Sequence, residues 1–160
     1  MSTKTAIVTG ANRGIGLEIA RQLVREGVRV VLGSRDPVKG ERAAKSLKSG
    51  ELAVAHALDV NDTKSVRRFV AFVEKEFGMP AILVNNAGVY PEEPEAKVTT
   101  TRTALWRETF ETNLFGAVRM CREVVPLMEK ELAVAVGKIA AAVGAIAQEG
   151  EGRPAHLTPM

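Results

Sequence analysis

Aromatic residues are scarce in this sequence. Only 4% of the 160 residues are aromatic, with one tryptophan, Trp106, and one tyrosine, Tyr90. Any chemistry that needs a tyrosine therefore has a single candidate. Cysteine is scarcer still. Cys121 stands alone, which excludes an internal disulfide and points to a reducing, cytoplasmic compartment. Charge of one sign is also lacking. The 22 basic and 19 acidic residues leave +3, too little and too scattered to favour nucleic acid or an anionic membrane. Residues 1–9 have neither the basic flank nor the long apolar core of a signal peptide. The longest weakly polar run, residues 132–148, is broken by Gly137, Lys138 and Gly144 and makes a poor membrane span. No cluster of histidine, cysteine and carboxylates has metal-ligand spacing, so no metal is expected. What remains is 46% hydrophobic and 26% charged, the balance of one soluble domain with enough apolar surface for a core.

Apolar runs alternate with helix-period runs over the first 130 or so residues, the signature of βαβ units and a parallel sheet. Residues 5–9 predict a first strand and 10–16 a glycine-rich turn. The following helix has Gly16, Ile19, Ala20 and Leu23 on one face and Gly27 near its C-terminal cap. Residues 28–33 predict a second strand. Asp36 followed by Pro37 reads as an N-cap for a helix to about residue 49. A third strand is expected at 52–58. Asp62 or Asn61 caps a helix that turns Val66, Phe69, Val70 and Val73 inward and ends at Gly78. A fourth strand at 82–85 opens into Asn86-Ala87-Gly88. A polar loop (91–101) leads to a long helix (103–132), bent near Pro126. Beyond it the pattern fails. A fifth strand at 133–136 or at 139–143, or a weak helix, fits equally, and 148–160 reads as a surface tail. The expectation is one α/β domain over residues 1–160, patterned over 4–132. It is a Rossmann-type doubly wound parallel sheet of strand order 3-2-1-4, with the fifth strand open.

The turn Thr9-Gly10-Ala11-Asn12-Arg13-Gly14-Ile15-Gly16 joins a strand to a helix. Glycines there permit positive φ, close approach of backbone N–H groups to a phosphate, and tight packing of helix on sheet. The helix N-terminus adds unpaired donors and a positive dipole end, which suits a pyrophosphate. The spacing is G-x-x-x-G-x-G. Together with Asn85-Asn86-Ala87-Gly88 after the fourth strand, it resembles the short-chain dehydrogenase/reductase family over residues 4–129. Gly33-Ser34-Arg35-Asp36 is most similar to the NADP(H)-dependent, carbonyl-reductase-like members. The resemblance implies that Gly10, Gly14 and Gly16 hold the cofactor pyrophosphate, with Asn12, Arg13 and Ile15 of the same turn also at the cofactor. It sets Asp59 and Val60 at the adenine, and Asn86, Ala87 and Gly88 along the nucleotide and ribose. Asn113, within Thr112-Asn113-Leu114-Phe115-Gly116, matches the helix asparagine that supports the family's proton relay. At the end of strand two a carboxylate would favour NAD(H). Here the matching residue is Ser34, followed by Arg35, and two guanidiniums, Arg13 and Arg35, favour NADP(H).

The same resemblance then breaks. The family positions a carbonyl with a serine and moves its proton with a tyrosine four residues before a lysine. Residue 94, four after Tyr90, is proline, and no serine follows Ser65. Tyr90 borders a substrate pocket at most. In the register of the tail, His156 takes the tyrosine position, Met160 the lysine position and Ala141 lies near the serine position. An imidazole can donate a proton near neutrality, so His156 is the remaining candidate donor. Met160 brings no charge to tune it and Pro159 disturbs the helix, so an exposed tail histidine is the plainer reading. His56 reads as a strand residue and Cys121 as a small buried hydrophobe. The expected protein is a truncated, active-site-altered NADP(H)-linked oxidoreductase acting on a small carbonyl or alcohol with little turnover. The alternative is a non-catalytic dinucleotide-binding or interaction protein. A bare sheet edge beyond the last strand invites self-association.

Overall fold

The computed structural model describes residues 3–91, 99, 101–128 and the backbone of 136–138. Five parallel strands, β1 (Thr5–Thr9), β2 (Arg29–Ser34), β3 (Ala53–Ala57), β4 (Ile82–Asn85) and β5 (Val136–Lys138), form one sheet of order β3-β2-β1-β4-β5. The expected order 3-2-1-4 is present. The fifth strand forms at the border of the two expected segments, with Leu83 facing Val136 and Asn85 facing Lys138.

The strand sequences alternate between the two faces, and each face is buried under helices, as doubly wound sheets require. Ile7, Val31 and Leu83 join Val66, Phe69, Val70 and Val73 of α3 (Thr63–Phe77) in one core. Ala6, Val8, Val30 and Leu32 face the other way, against α1 (Gly14–Arg25) and α2 (Pro37–Ser46). The expected inward face of α3 is buried throughout, because its apolar residues repeat at helical spacing.

The helix ends follow their local chemistry. After α1, Gly27 N–H donates to Val24 O at 3.0 Å and Val28 N–H to Leu23 O at 3.0 Å, the paired bonds of a Schellman stop. The Asp36 carboxylate accepts from Lys39 N–H, with Pro37 at the first helical position. Of the two expected caps for α3, Asp62 is the one used, accepting from Lys64 N–H at 2.8 Å. α2 ends earlier than expected, at Ser46, because Lys48 takes a φ of 50° and the chain turns into β3.

The long helix expected at 103–132 is helical from Thr103 to Leu127 among the described residues, but not uniformly α-helical. α4 (Thr103–Phe110) passes into a π-helical turn (Glu111–Gly116), then α5 (Ala117–Val124) and a 3-10 turn (Val125–Leu127). Pro126 cannot donate a backbone hydrogen bond, which accounts for the stop after Val124. The π turn coincides with a close approach: a Cβ on Gly116 would lie 2.7 Å from Val60 Cγ2. Met120 and Val124 of α5 then join the α3-side core. Most of the polar loop after Pro91, and the residues after 138, lie outside the described residues. They include His156, Met160 and the serine position near Ala141.

Candidate functional site

Four turns at the carboxyl ends of β1 to β4 surround one cleft of about 560 Å³. Ligands of open α/β sheets enter at such a place, where the strand order reverses. Gly10, Asn12, Arg13, Gly14 and Ile15 come from the first turn, and Ser34 and Arg35 from the second. Asp59 and Val60 come from the third, and Asn86, Ala87 and Gly88 from the fourth. Of the residues singled out for a nucleotide, only Gly16 stays out of the lining.

Gly16 lies beneath the cleft. A Cβ there would be 2.4 Å from Asn86 Nδ2 and 2.9 Å from Gly10 O. At Gly10, with φ of 66°, a Cβ would fall 2.9 Å from Ala87 Cα. The first turn is thus pressed against the fourth, and only glycine permits the contact. Arg13 caps α1 without a side-chain hydrogen bond, so the first-turn N–H groups of α1 are left for an anionic ligand.

One hydroxyl ties these turns together. Thr9 Oγ1 accepts from Asn86 N–H at 3.0 Å and Ala87 N–H at 2.9 Å, and donates to Val84 O at 3.4 Å. Asn86 Nδ2 donates back to Thr9 O at 2.9 Å. The sequence places Thr9 at the end of a strand and the start of the glycine-rich turn and gives it no role of its own. Its position at the end of β1 was the available signal, since parallel neighbours must part there.

The second turn is the cationic corner. Ser34 is buried and its hydroxyl donates to Asp36 O at 2.8 Å, so it presents no charge. Arg13 and Arg35 are exposed at the rim and have no ion-pair partner among the described residues. Asp36 and Lys39 also line the cleft, and both were missed as site residues. The Lys39 backbone N–H holds the Asp36 carboxyl below its ordinary value, with the Lys39 ammonium assisting.

In the third turn, Asp59 Oδ1 accepts from Asn61 N–H at 2.9 Å and Asp59 N–H donates to Ser65 Oγ at 2.9 Å. Asn61 Nδ2 donates to Thr112 Oγ1 at 2.9 Å, linking this turn to the π turn. Asn113 belongs to the same π turn. Its Oδ1 accepts from Val89 N–H at 2.8 Å and its Nδ2 donates to Val89 O at 2.9 Å. It is therefore a backbone clamp on the fourth turn rather than a polar residue on a solvated helix face.

Other singled-out residues lie elsewhere. Tyr90 is 76% exposed and does not line the cleft. His56 is on β3, its ring stacked on Phe72 at 4.2 Å. Cys121 is half-buried against the core and its sulfur accepts from Asn85 Nδ2 at 3.4 Å. Among the described residues no group of histidine, cysteine and carboxylates could hold a metal ion, and no helix is long and apolar enough to cross a membrane.

The family model described as short chain dehydrogenase matches residues 4–151. The chain belongs to the short-chain dehydrogenase family. It is 40% identical over 144 residues to (+)-neomenthol dehydrogenase of Arabidopsis thaliana, covering 78% of this chain and 49% of that protein. Human carbonyl reductase [NADPH] 3 is 39% identical over 129 residues, covering 79% of this chain and 46% of that protein. Among solved structures, menthone neomenthol reductase from Mentha piperita superposes with a TM-score of 0.72 at 31% identity. That match covers 82% of this chain and 58% of that one. An alcohol dehydrogenase from the archaeon Thermococcus sibiricus, complexed with 5-hydroxy-NADP, gives 0.71 at 32% identity, covering 79% and 53%. The short-chain dehydrogenase chain described here spans about half the length of the curated relatives it matches.

Proposed function

We propose that the cleft binds a dinucleotide, NADP(H) in preference to NAD(H), and that the chain serves hydride transfer with a carbonyl or alcohol substrate. The observation that carries this is the glycine floor at Gly10 and Gly16 beneath a helix N-terminus, with Arg13 and Arg35 at the rim and without an ion-pair partner among the described residues. Glycines and free N–H groups suit a pyrophosphate, and guanidiniums suit a 2′-phosphate. Gly10, Asn12, Gly14 and Ile15 would hold the pyrophosphate, with Gly16 giving the turn its depth, and Arg13 would reach the 2′-phosphate. Ser34 and Arg35 would meet the adenosine ribose, Asp59 and Val60 the adenine. Asn86, Ala87 and Gly88 would line the remaining nucleotide. When bound, the nicotinamide supplies the hydride, and the protein supplies its orientation. The names of a carbonyl reductase [NADPH] and of an alcohol dehydrogenase complexed with an NADP derivative support the same cofactor and substrate class.

These 160 residues carry no tyrosine followed four residues later by lysine, and no serine after Ser65. Of the family's proton-handling groups, Asn113 alone is matched within the described residues. Carbonyl reduction needs a proton donor beside the oxygen, so turnover by this chain alone is expected to be very low. The same lack favours a second reading, dinucleotide binding without chemistry. Titration of NADPH fluorescence, followed by NADPH oxidation with a panel of aldehydes and ketones, separates the outcomes. Saturable binding without oxidation supports the binding reading. Robust, saturable oxidation overturns the low-turnover reading. Failure to bind at any reachable concentration overturns the proposal itself.

A further inference from the structure

β3 is half-exposed over most of its length, whereas β1 is buried throughout. It borders the sheet, and among the described residues no strand pairs with its outer edge. Leu58 N–H donates to Ser34 O at 2.9 Å, so the backbone of Leu58 faces β2. Successive residues of a strand aim their N–H and C=O groups at opposite edges. Val54 and His56 therefore also face β2, and Ala53, Ala55 and Ala57 turn their N–H and C=O groups outward. The strand contains no Lys, Arg, Asp, Glu or proline, and its register with β2 is unbroken. It lacks the devices that ordinarily keep an edge from pairing. A groove of about 430 Å³ lies between this edge and α2, and Glu41, Lys45 and Lys48 line it from the helix side. None of the three has an ion-pair partner among the described residues.

We propose that the β3 edge is an interface for a second copy of this chain, joined antiparallel across a twofold axis at Ala55. Overlap of the full strand sets Ala55 opposite the partner's Ala55, Ala53 opposite the partner's Ala57, and Ala57 opposite the partner's Ala53. In each such pair both residues exchange N–H and C=O, so every outward group of the strand is used. Between them, Val54 meets the partner's His56 in the closer, non-hydrogen-bonded pairs, on the face where His56 already stacks on Phe72 at 4.2 Å. On the other face the twofold runs the two α2 helices antiparallel. Glu41, one turn before Lys45, then faces the partner's Lys45 and Lys48, and the reciprocal contact follows by symmetry. A groove wall that carries both signs is complementary to itself in this way, which fits a second copy better than a peptide of either charge. No residue of the groove lines the nucleotide cleft, so pairing leaves the cleft open.

The test is sedimentation equilibrium of the full chain over a concentration series, with the mass expected to rise from 17.2 kDa toward that of two chains. Ala55→Pro removes an outward N–H and leaves the ladder to β2 intact. It is expected to weaken the dimer about tenfold or more with little change in the urea midpoint. If the proline unfolds the chain, the groove charges decide. Lys45→Glu and Glu41→Lys each set like charges across the twofold, and symmetry counts each contact twice. Each is expected to weaken the dimer about fivefold to tenfold. Their combination restores complementarity and returns to within about threefold of wild type. A mass of one chain at every concentration overturns the proposal. A dimer of unchanged affinity in a folded Ala55→Pro variant also overturns it, because the contact would then lie elsewhere. So does a double charge variant no tighter than the single ones.

Discussion

One added methyl group at Gly16 is the smallest change that probes the cleft floor. The Asn86 amide and the Gly10 carbonyl already occupy the space it needs. Gly16→Ala is expected to cost about 1–3 kcal/mol, the range for overpacking a tight contact, and to weaken NADPH binding as the first and fourth turns separate. Urea unfolding and NADPH titration check both halves, and a variant with wild-type stability and affinity would show that the contact yields freely. The glycines were legible because their spacing is local and sits between a strand and a helix. Thr9, Asp36 and Lys39 were not legible as site residues. Thr9 matters through bonds to Asn86 and Ala87, far away in sequence, and nothing near Thr9 announces them. Asp36 reads from the sequence as a cap and as part of the Gly33-Ser34-Arg35-Asp36 motif, not as a lining residue, although one carboxylate both caps α2 and lines the cleft.

At the scale of elements, helical periodicity recovered α1 and α3 and the apolar runs recovered β1 to β4, since each is written in neighbouring residues. The helix after the polar loop and its change at Pro126 were legible, but the π turn within it was not. A π turn inserts no special residue type, so the interruption at Glu111–Gly116 leaves the apolar spacing almost unchanged. Its cause is tertiary: Gly116 packs on Val60, Thr112 bonds Asn61, and Asn113 grips Val89. Asn113→Ala would strip both partners from the Val89 backbone, at an expected cost of about 1–3 kcal/mol. Asn113→Asp keeps the bond from Val89 N–H and loses the one to Val89 O, so its denaturation midpoint should fall between alanine and wild type. Equal midpoints for all three proteins would show that the clamp carries no stability.

At the scale of the whole molecule, the sheet formed by the described residues ends in β3 on one side and β5 on the other, each paired among those residues to a single neighbour. Open strand edges template pairing with further strands, so we expect the chain to self-associate. Light scattering across a concentration series should show the mass rising above 17.2 kDa, and a constant monomer mass at every concentration would count against it. The parallel order was legible because βαβ connections leave few alternatives. The position of β5 was not, since residues 133–147 are small and apolar without a period. The cleft has a further consequence. Apart from Thr112, its lining comes from four separate turns, at residues 10–15, 34–39, 58–61 and 86–89, each the stopping point of a different strand. No fragment with fewer than four aligned strands contains it. A bound nucleotide would bridge all four turns at once, which makes nucleotide affinity a report on whether the sheet has finished assembling.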